Sequence, residues 1–342
     1  MNRTPTFRFD VMEDNICIGQ AFPVGKPIIK CNADAEVKLS FSGDFVLGTT
    51  PNWLNVRLKP YLNLAGQQSS LGEYLITQAD ECMDKKGMRF WKLKGMDLGR
   101  IPQRSRTENR IYYRAGQRYT DIVQSILLEL GITRIIVIQS DAVLTNDRTD
   151  WEIGTSWLKV INSLLEEINY QSLWFDSEGN ARVQPQKVLD GAMIDHVYES
   201  GQFSEIKAQA DVSSDVYKAY NVFTAMVSNP EYQEPMIAVS VNDIPTSRIS
   251  TVNIGRVQAP IEKLDDIASM EELQKYVDNL RFRSMSSIEQ VSFRTALNQH
   301  QVGDIVSVNH PLFQGIYRET EWKMTLHFDG EMTHTAQRIV ME

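Results

Sequence analysis

The sequence predicts an α+β protein with two strand-rich, barrel-like domains and an α/β insertion between them. Residues 1–98 and 186–342 contain short alternating or apolar runs separated by glycine-containing turns, which is typical of β-strands. Residues 99–185 instead space their apolar side chains as one face of a helix does. A chain of 342 residues is long enough for two or three domains with separate cores.

The first portion, residues 1–98, is predicted to form a small barrel or sandwich. Residues 53–60 alternate apolar and polar side chains, which is typical of a half-buried strand. Residues 71–77 and 89–95 flank a turn at 84–87 and predict a hairpin. Further strands are predicted at residues 7–11, 36–41 and 45–47.

The insertion, residues 99–185, is predicted to begin with a helix that starts at Tyr119 and ends at Gly131. A buried strand is expected at residues 134–139, followed by a loop at 141–150.

The end of the insertion has the densest local signals. Thr155 or Ser156 can cap a second helix, and Gly179 supplies a positive φ to a turn at residues 176–180 between two short strands. The solvent-exposed face of this helix is predicted to contain Glu166 and Glu167, together with Asn162. Its apolar stripe consists of Trp157, Leu158, Ile161, Leu164, Leu165 and Ile168.

The last portion, residues 186–342, is predicted to be a second barrel-like domain with one helix. Its helix is expected between Asp265 and Arg283, with Ser269 near its start. Strands at 219–227 and 236–241 are expected to flank a turn at 229–231, and a final hairpin is expected at 317–340. Two more strands are predicted at residues 288–295 and 302–308.

Two runs of residues resemble a known family. The run RYTDIVQSILLELGI (118–132) opens the first helix, and LLEEINYQSLWFDSEGNARVQP (164–185) spans the end of the second helix and a Phe-Asp-x-x-Gly hairpin. Together they resemble the baseplate hub proteins of contractile phage tails and phage-tail-like particles. The resemblance is densest over residues 100–190 and returns at 215–223 and 301–311, so it covers about half of the chain. Its motifs are structural and have no catalytic content.

The resemblance implies a structural virion component and not an enzyme. Tail hubs are homotrimers at the centre of the baseplate, and two barrels in each subunit give six units that match the sixfold tail tube. Six equivalent units in a trimer require the two strand-rich portions of each chain to share a fold. The implied partners are the tail tube protein, the central spike protein and other baseplate proteins. The location is the tail baseplate of a virion or phage-tail-like particle, after synthesis in the cytoplasm of the bacterial host. The tip protein of a non-contractile tail, which shares the hub fold, stays open as an alternative.

The composition restricts other functions. A net charge of −9 argues against a nucleic-acid-binding protein and suits a channel whose lumen is acidic or neutral. The basic run between Arg100 and Arg118 is predicted to be a solvated loop or an interface with an acidic partner.

No secretory signal and no membrane-spanning run is recognised. Cys17, Cys31 and Cys82 are widely spaced, which favours neither zinc nor a disulfide framework.

No catalytic, cofactor-binding or metal-binding residues are predicted. The adjacent pairs 166–167, 265–266 and 271–272 point about 100° apart on a helix, so they do not form shared acid–base sites. His327 and His334 are expected to face each other as a polar pair across the last hairpin. The alternative function is a cell-wall-degrading tail enzyme, a glycoside hydrolase or peptidase. A glycoside hydrolase needs two carboxylates that folding brings to roughly 5–10 Å from each other.

Overall fold

The computed structural model describes residues 4–149, 151–186, 194–201, 204–214, 217, 219–227, 235–264 and 266–339. These residues form a strand-rich α+β fold with barrel-like parts, which confirms the predicted fold class. The three cysteines are free thiols. Among the described helices, none is long and apolar enough to cross a membrane.

The first strand-rich portion closes into a barrel of six antiparallel strands. Around the barrel the order is β1-β5-β7-β8-β4-β2, and β2 pairs with β1 again. Its core includes Phe9, Phe41, Phe45 and Tyr74. The hairpin predicted around residues 84–87 is confirmed as the β7–β8 pair. The strands are β1 (Thr6–Glu13), β2 (Ile16–Pro23), β3 (Ile28–Asn32), β4 (Leu39–Leu47), β5 (Val56–Leu64), β6 (Gln67–Ser70), β7 (Tyr74–Met83) and β8 (Arg89–Asp97).

The insertion contains one short helix and two longer ones, and the longer helices share a core with a three-stranded sheet. Gly131 has a φ of +77° just beyond the first long helix, as a C-terminal stop requires. The strand expected to be buried is in fact the edge of the sheet, and Ile136 is 41% exposed. The elements are α1 (Arg100–Arg104), α2 (Tyr119–Glu129), β9 (Ile135–Val137), α3 (Trp157–Glu166), β10 (Trp174–Phe175) and β11 (Ala181–Val183).

Helix α3 begins as the sequence predicted. The Ser156 hydroxyl accepts a hydrogen bond from the backbone N–H of Lys159, which satisfies one unpaired donor of the first turn. The apolar stripe is buried except for Trp157, which is half-buried. The solvated position expected for Glu167 is wrong. Its side chain is buried at the C-terminal end of α3, where Arg148 Nη1 donates to Glu167 Oε2 at 2.6 Å.

The remaining strands divide between a second barrel-like sheet and a smaller unit. The second barrel has the strand order β12-β18-β19-β20-β17-β13 and is built around Phe293 and Tyr317. The elements of this portion are β12 (His196–Glu199), β13 (Ile206–Ser214), β14 (Val222–Val227), β15 (Met236–Val241), α4 (Thr251–Ile254), β16 (Glu262–Leu264), α5 (Met270–Ser287), β17 (Glu289–Thr295), β18 (Ile305–His310), β19 (Phe313–Thr325) and β20 (Met332–Arg338).

The smaller unit is a three-stranded sheet, β15-β14-β16, with α5 packed on it. It has its own core, formed by Phe223, Val227, Leu273 and Val277 among others. The predicted β14–β15 pair is confirmed, and its turn at 229–231 lies outside the described residues. Helix α5 begins five residues later than expected, after Ser269, whose hydroxyl accepts from the N–H of Glu272. The division of the chain into three domains, with boundaries after residues 98 and 185, stays a prediction.

The two barrels have the same strand order. Strands β1, β2, β4, β5, β7 and β8 of the first occupy the positions of β12, β13, β17, β18, β19 and β20 in the second. The match extends to register, because the β7–β8 ladder has a bulge at Thr77 and the β19–β20 ladder has one at Thr320. Three residues before each bulge stands a fully buried tyrosine, Tyr74 or Tyr317. The barrels differ in two ways. β12 runs parallel to β18, whereas β1 runs antiparallel to β5. In addition, the β1–β2 pair that closes the first barrel has no β12–β13 counterpart among the described residues.

Strand β3 joins the barrels into one continuous sheet. One edge of β3 pairs with β4 of the first barrel, and its other edge pairs with residues 321–325 of β19 in the second. Because backbone hydrogen bonds cross the junction, the two barrels are held in a fixed register.

Candidate functional site

The turn at residues 176–180 lies where the insertion meets both barrels. The Ser177 carbonyl accepts hydrogen bonds from Ser70 Oγ at 2.6 Å and from the N–H of Gly72 at 2.9 Å, both in the first barrel. The Ser177 hydroxyl accepts from the amides of Gln299 and Gln301, at 2.9 and 2.8 Å, just before β18 of the second barrel. A single buried serine therefore connects three parts of the chain.

The local sequence explains how this turn keeps its shape. Asp176 Oδ1 accepts from the N–H groups of Glu178 and Asn180, which fixes the loop with its own side chain. Gly179 has a φ of +84°, and a Cβ there would lie 2.8 Å from both the Glu73 carboxylate and the Arg134 guanidinium. The turn was predicted from its residue types. Its role as a junction was not, because its partners are more than 100 residues away in the chain.

Ion pairs surround the junction on the side of the first barrel. Glu73 is 4% exposed and is bonded to Arg57, at 2.8 Å, and to Arg134 of the insertion. Lys59 contacts Glu178 at 3.0 Å. These pairs stabilise the docking of the insertion, since a buried carboxylate with two guanidinium partners keeps its charge compensated.

A second polar cluster lies inside the second barrel. Glu319 on β19 is fully buried and hydrogen-bonded to the Nδ1 atoms of two histidines, His300 at 2.6 Å and His334 on β20. The opposite ring nitrogens are also bonded, His300 Nε2 to the Tyr198 hydroxyl at 2.6 Å and His334 Nε2 to the Thr295 hydroxyl at 2.7 Å. We name these five residues the Glu319 network. It connects β12, β17, β19 and β20 to the segment before β18.

A histidine–aspartate pair adjoins the Glu319 network. His196 Nε2 lies 3.1 Å from Asp304 Oδ2, and the same carboxylate oxygen accepts from the N–H of Gln301. The rings of His196 and His300 stack with centroids 3.9 Å apart. Asp304 therefore anchors β12 to the loop that contains His300.

The charges of the network are set by burial and by mutual contact. Burial alone would raise the pKa of Glu319, but the charge and hydrogen bond of His300, followed by those of His334, lower it to about 2. Burial lowers the pKa of His300, yet Glu319 outweighs burial and the pKa lies above its ordinary value. Burial lowers the pKa of His334 below its ordinary value. The Glu319 carboxylate thus lies between two imidazoles, of which His300 holds its proton more strongly than an ordinary histidine and His334 holds it less strongly.

These side chains are also of the types that bind zinc. Ligand atoms of His196, His300 and Asp304 lie within 4.8 Å of one another, and so do those of His300, Glu319 and His334. An ion lies in the plane of each imidazole that binds it, so the stacked rings of His196 and His300, inclined by only 20°, cannot share one. In the second group, His300 and His334 each use both ring nitrogens for hydrogen bonds. In this structure the cluster is held together by hydrogen bonds around the Glu319 carboxylate.

Sequence reasoning missed this network and paired the wrong histidines. His327 and His334 do not face each other. In the β19–β20 ladder His334 lies opposite Trp322, whereas His327 lies beyond the end of β19 and bonds to Asp329 in the turn. The alternation of buried residues along β20 was the available signal, since it places His334 on the same face as the buried Met332 and Ala336.

Three solved structures show what this arrangement is similar to. A tail protein from Neisseria meningitidis has a TM-score of 0.69 at 11% identity, covering 97% of both chains. A 43 kDa prophage tail protein from Shewanella oneidensis has a TM-score of 0.67 at 12% identity, covering 96% of this chain and 98% of that one. The chain has the fold of phage tail proteins.

A component of the E. coli type VI secretion system, described as structurally similar to two bacteriophage T4 tail proteins, has a more distant form of this fold. Its TM-score is 0.55 at 10% identity, over 97% of this chain and 77% of that one. The sequence matches no protein-family model and no curated protein. At sequence identities this low, the comparisons show a shared backbone fold and nothing about side-chain roles.

Within the tail-protein fold, the carboxylate pairs of the sequence take separate roles. Glu166 is exposed while Glu167 is buried against Arg148, which also approaches Asp266 at 3.6 Å. Glu271 and Glu272 both contact Lys275 on the surface of α5. Asp265 lies outside the described residues. Each of these described carboxylates therefore has a cationic or solvated environment of its own.

A cleft of about 720 Å³ opens between the insertion, α5 and the second barrel. Two carboxylates are among its described lining residues. Asp34 is bonded to Arg318 at 2.9 Å, and Glu166 accepts from the Tyr276 hydroxyl at 3.3 Å.

The basic run lies elsewhere, in the insertion. Its arginines from Arg104 to Arg118 are exposed, as a solvated or interface segment would be.

Proposed function

We propose that the chain is a structural component of a phage tail or phage-tail-like particle, and that it acts as the baseplate hub. In this role it joins the tail tube to the central spike and forms part of the central channel. Support comes from the tail-protein fold, which extends over nearly the whole chain. The partners of such a hub are the tube protein, the spike protein and other baseplate proteins.

The duplicated barrel is the observation on which this proposal depends. A tail tube presents sixfold symmetry, whereas a hub trimer has three subunits. Two barrels of equal strand order and matching bulges in one chain give three subunits six similar units. The sheet that runs through β3 fixes the two barrels of each subunit relative to each other. Oligomers of this kind close into rings when the contact between neighbouring units repeats.

The charge of the chain supports the same role. A net charge of −9 repels nucleic acid that passes through a channel, because both carry negative charge. We expect the barrel surface that faces the lumen to be acidic or neutral. Mapping the lumen in an electron-microscopy reconstruction would test this, and a strongly positive channel wall would contradict it.

Native mass spectrometry tests the proposal directly. We expect a species of three times the 39.1 kDa chain mass, and class averages of a ring with sixfold appearance by negative-stain microscopy. A chain that stays monomeric and never joins tail particles would contradict the hub. The proposed role is non-enzymatic, so a zymogram with peptidoglycan should show no cleared band. A cleared band that co-migrates with the chain would instead support a cell-wall-degrading tail enzyme.

A further inference from the structure

Strands β7 and β13 each have an edge that is unpaired within the described parts of the chain. β13 pairs with β17 on one side and ends the strand order on the other. β7 pairs with β8 over its whole length, but with β5 only through Tyr74 and Leu75. The edge of residues 78–83 on the β5 side is therefore open. Open edges present backbone N–H and C=O groups that can pair with another strand.

The second barrel shows what such an edge accepts. On β19, the side opposite β20 pairs with β18 over residues 313–318 and with β3 over residues 321–325. β7 is the counterpart of β19, and aligning the two bulges makes residues 79–82 the counterparts of 322–325. The edge that β3 occupies in the second barrel is thus the edge that is open in the first.

β13 is the counterpart of the donor strand. In the first barrel, β3 pairs with the first half of β4 and β2 pairs with the second half. In the second barrel the counterpart of β4 is β17, and β13 alone pairs with both of its halves. Residues 211–214 of β13 therefore correspond to residues 28–31 of β3, and their outer edge is the one that β3 offers to β19.

We propose that β13 of one copy pairs antiparallel with β7 of a second copy, as β3 pairs with β19 inside the chain. This inference rests on the proposed trimer and specifies the contact that forms it. Transferring the β3–β19 register places Asp211 opposite Cys82, and Val212 opposite Glu81. Because donor and acceptor lie on different barrels, the contact is head-to-tail, and three copies close into a ring if each contact turns the next copy by a third of a full rotation.

The side chains of the two edges suit a contact that forms only on assembly. Residues 207–214 of β13 are exposed except for Ala210, and most are polar, so the free chain keeps both faces of this strand in water. Val212 and Met83, which are 38% and 61% exposed, become diagonal neighbours on one face of the paired strands. Backbone hydrogen bonds then join the two strands, and the contact between Val212 and Met83 buries apolar surface.

The native Cys82 allows a test with one new thiol. Opposed residues of antiparallel strands have Cα atoms about 4.5–5.5 Å apart, within the range of a disulfide. We expect Asp211→Cys, in a background with the exposed Cys17 changed to Ser, to give covalent dimers and trimers on a non-reducing gel after mild oxidation. Peptide mass spectrometry should identify the linkage between positions 82 and 211. Unchanged thermal unfolding under reducing conditions would verify the fold of the variant.

Two matched variants control the register. Adding Cys82→Ser to Asp211→Cys should abolish the covalent species. Val212→Cys is one residue away but points to the opposite face of β13, so its yield should be at least about fivefold lower. Equal yields from both positions would contradict the register, as would a disulfide that forms within one chain.

The outcomes separate this contact from the trimer itself. Native trimers in which positions 82 and 211 do not cross-link would overturn the β13–β7 contact and leave the hub proposal standing. Monomers at every concentration, with both thiols free after oxidation, would contradict both. Covalent chains longer than three copies would support the strand contact and contradict the closed trimer.

Discussion

Replacing Glu319 by Gln is expected to destabilise the second barrel by about 3 kcal/mol. In the folded protein the pKa of Glu319 falls from its ordinary 4.5 to about 2, and each pH unit corresponds to about 1.4 kcal/mol. Glutamine keeps the shape of the side chain but removes the negative charge opposite His300. It also turns an NH2 group toward one of two ring nitrogens that now bond to a carboxylate. Removing one partner of a buried ion pair typically costs about 3–5 kcal/mol, which agrees with this value.

The loss should depend on pH in a defined direction. The pKa of Glu319 is lowered on folding, so its contribution is present above about pH 4.5 and is lost as the pH falls toward 2. The pKa of His300 is raised on folding, so its contribution is present below about pH 6.5 and is lost as the pH rises through the raised value. The difference in unfolding free energy between the wild type and Glu319→Gln should therefore be largest between these limits.

The free energy of unfolding is measured by urea denaturation at several pH values. Hydrogen exchange of the backbone amides in β17 to β20 is measured under the same conditions. Glu321→Gln is the matched control, because Glu321 is exposed on the same strand and its carboxylate accepts a hydrogen bond from the Asn32 amide at 2.9 Å. The control should change the free energy of unfolding by less than about 0.5 kcal/mol. Equal effects of the two substitutions, or a Glu319 effect independent of pH, would refute the assigned charges.

Substitutions at three further sites (the turn at Gly179, the cap at Ser156 and the Arg148–Glu167 ion pair) test local parts of the structure by calorimetry and hydrogen exchange. Gly179→Ala places a side chain at a φ of +84° and should cost about 1–3 kcal/mol, with faster exchange at the junction; unchanged exchange there would contradict the tight turn. Ser156→Ala should cost about 1 kcal/mol, and Ser156→Asp should restore it, because the loss is that of a helix cap. Arg148→Met should cost about 3–5 kcal/mol by leaving Glu167 buried without its cation, and a double substitution with Glu167→Gln should recover part of that loss.

Elements whose signals are local could be predicted from the sequence. The cap at Ser156, the stop at Gly131 and the turn around Gly179 depend on residues within a few positions of each other. The β7–β8 hairpin likewise follows from alternation on both sides of one turn. In each case the physical cause is a backbone conformation or a periodicity that a short window contains.

Long-range features could not be predicted in this way. The Tyr198–His300 hydrogen bond of the Glu319 network joins residues 102 positions apart. Glu167 is buried because Arg148 and the segment before α5 pack against the end of α3. The amphipathic pattern alone placed Glu167 in solvent, since it contains no information about a second partner. The shared strand order was also hidden, because the counterpart strands agree in pairing and register and differ in residue type.

The position of β3 has a consequence for synthesis of the chain. Asn32 and Glu321, opposed residues of the β3–β19 pair, are 289 positions apart, so the first barrel leaves the ribosome long before its partner strand exists. At a translation rate of roughly 5–20 residues per second, the outer edge of β3 stays unpaired for about 15–60 s before residues 321–325 are synthesised. During translation this edge is open to nascent neighbours on the same messenger, and a chaperone that shields it would raise the yield of correctly joined molecules.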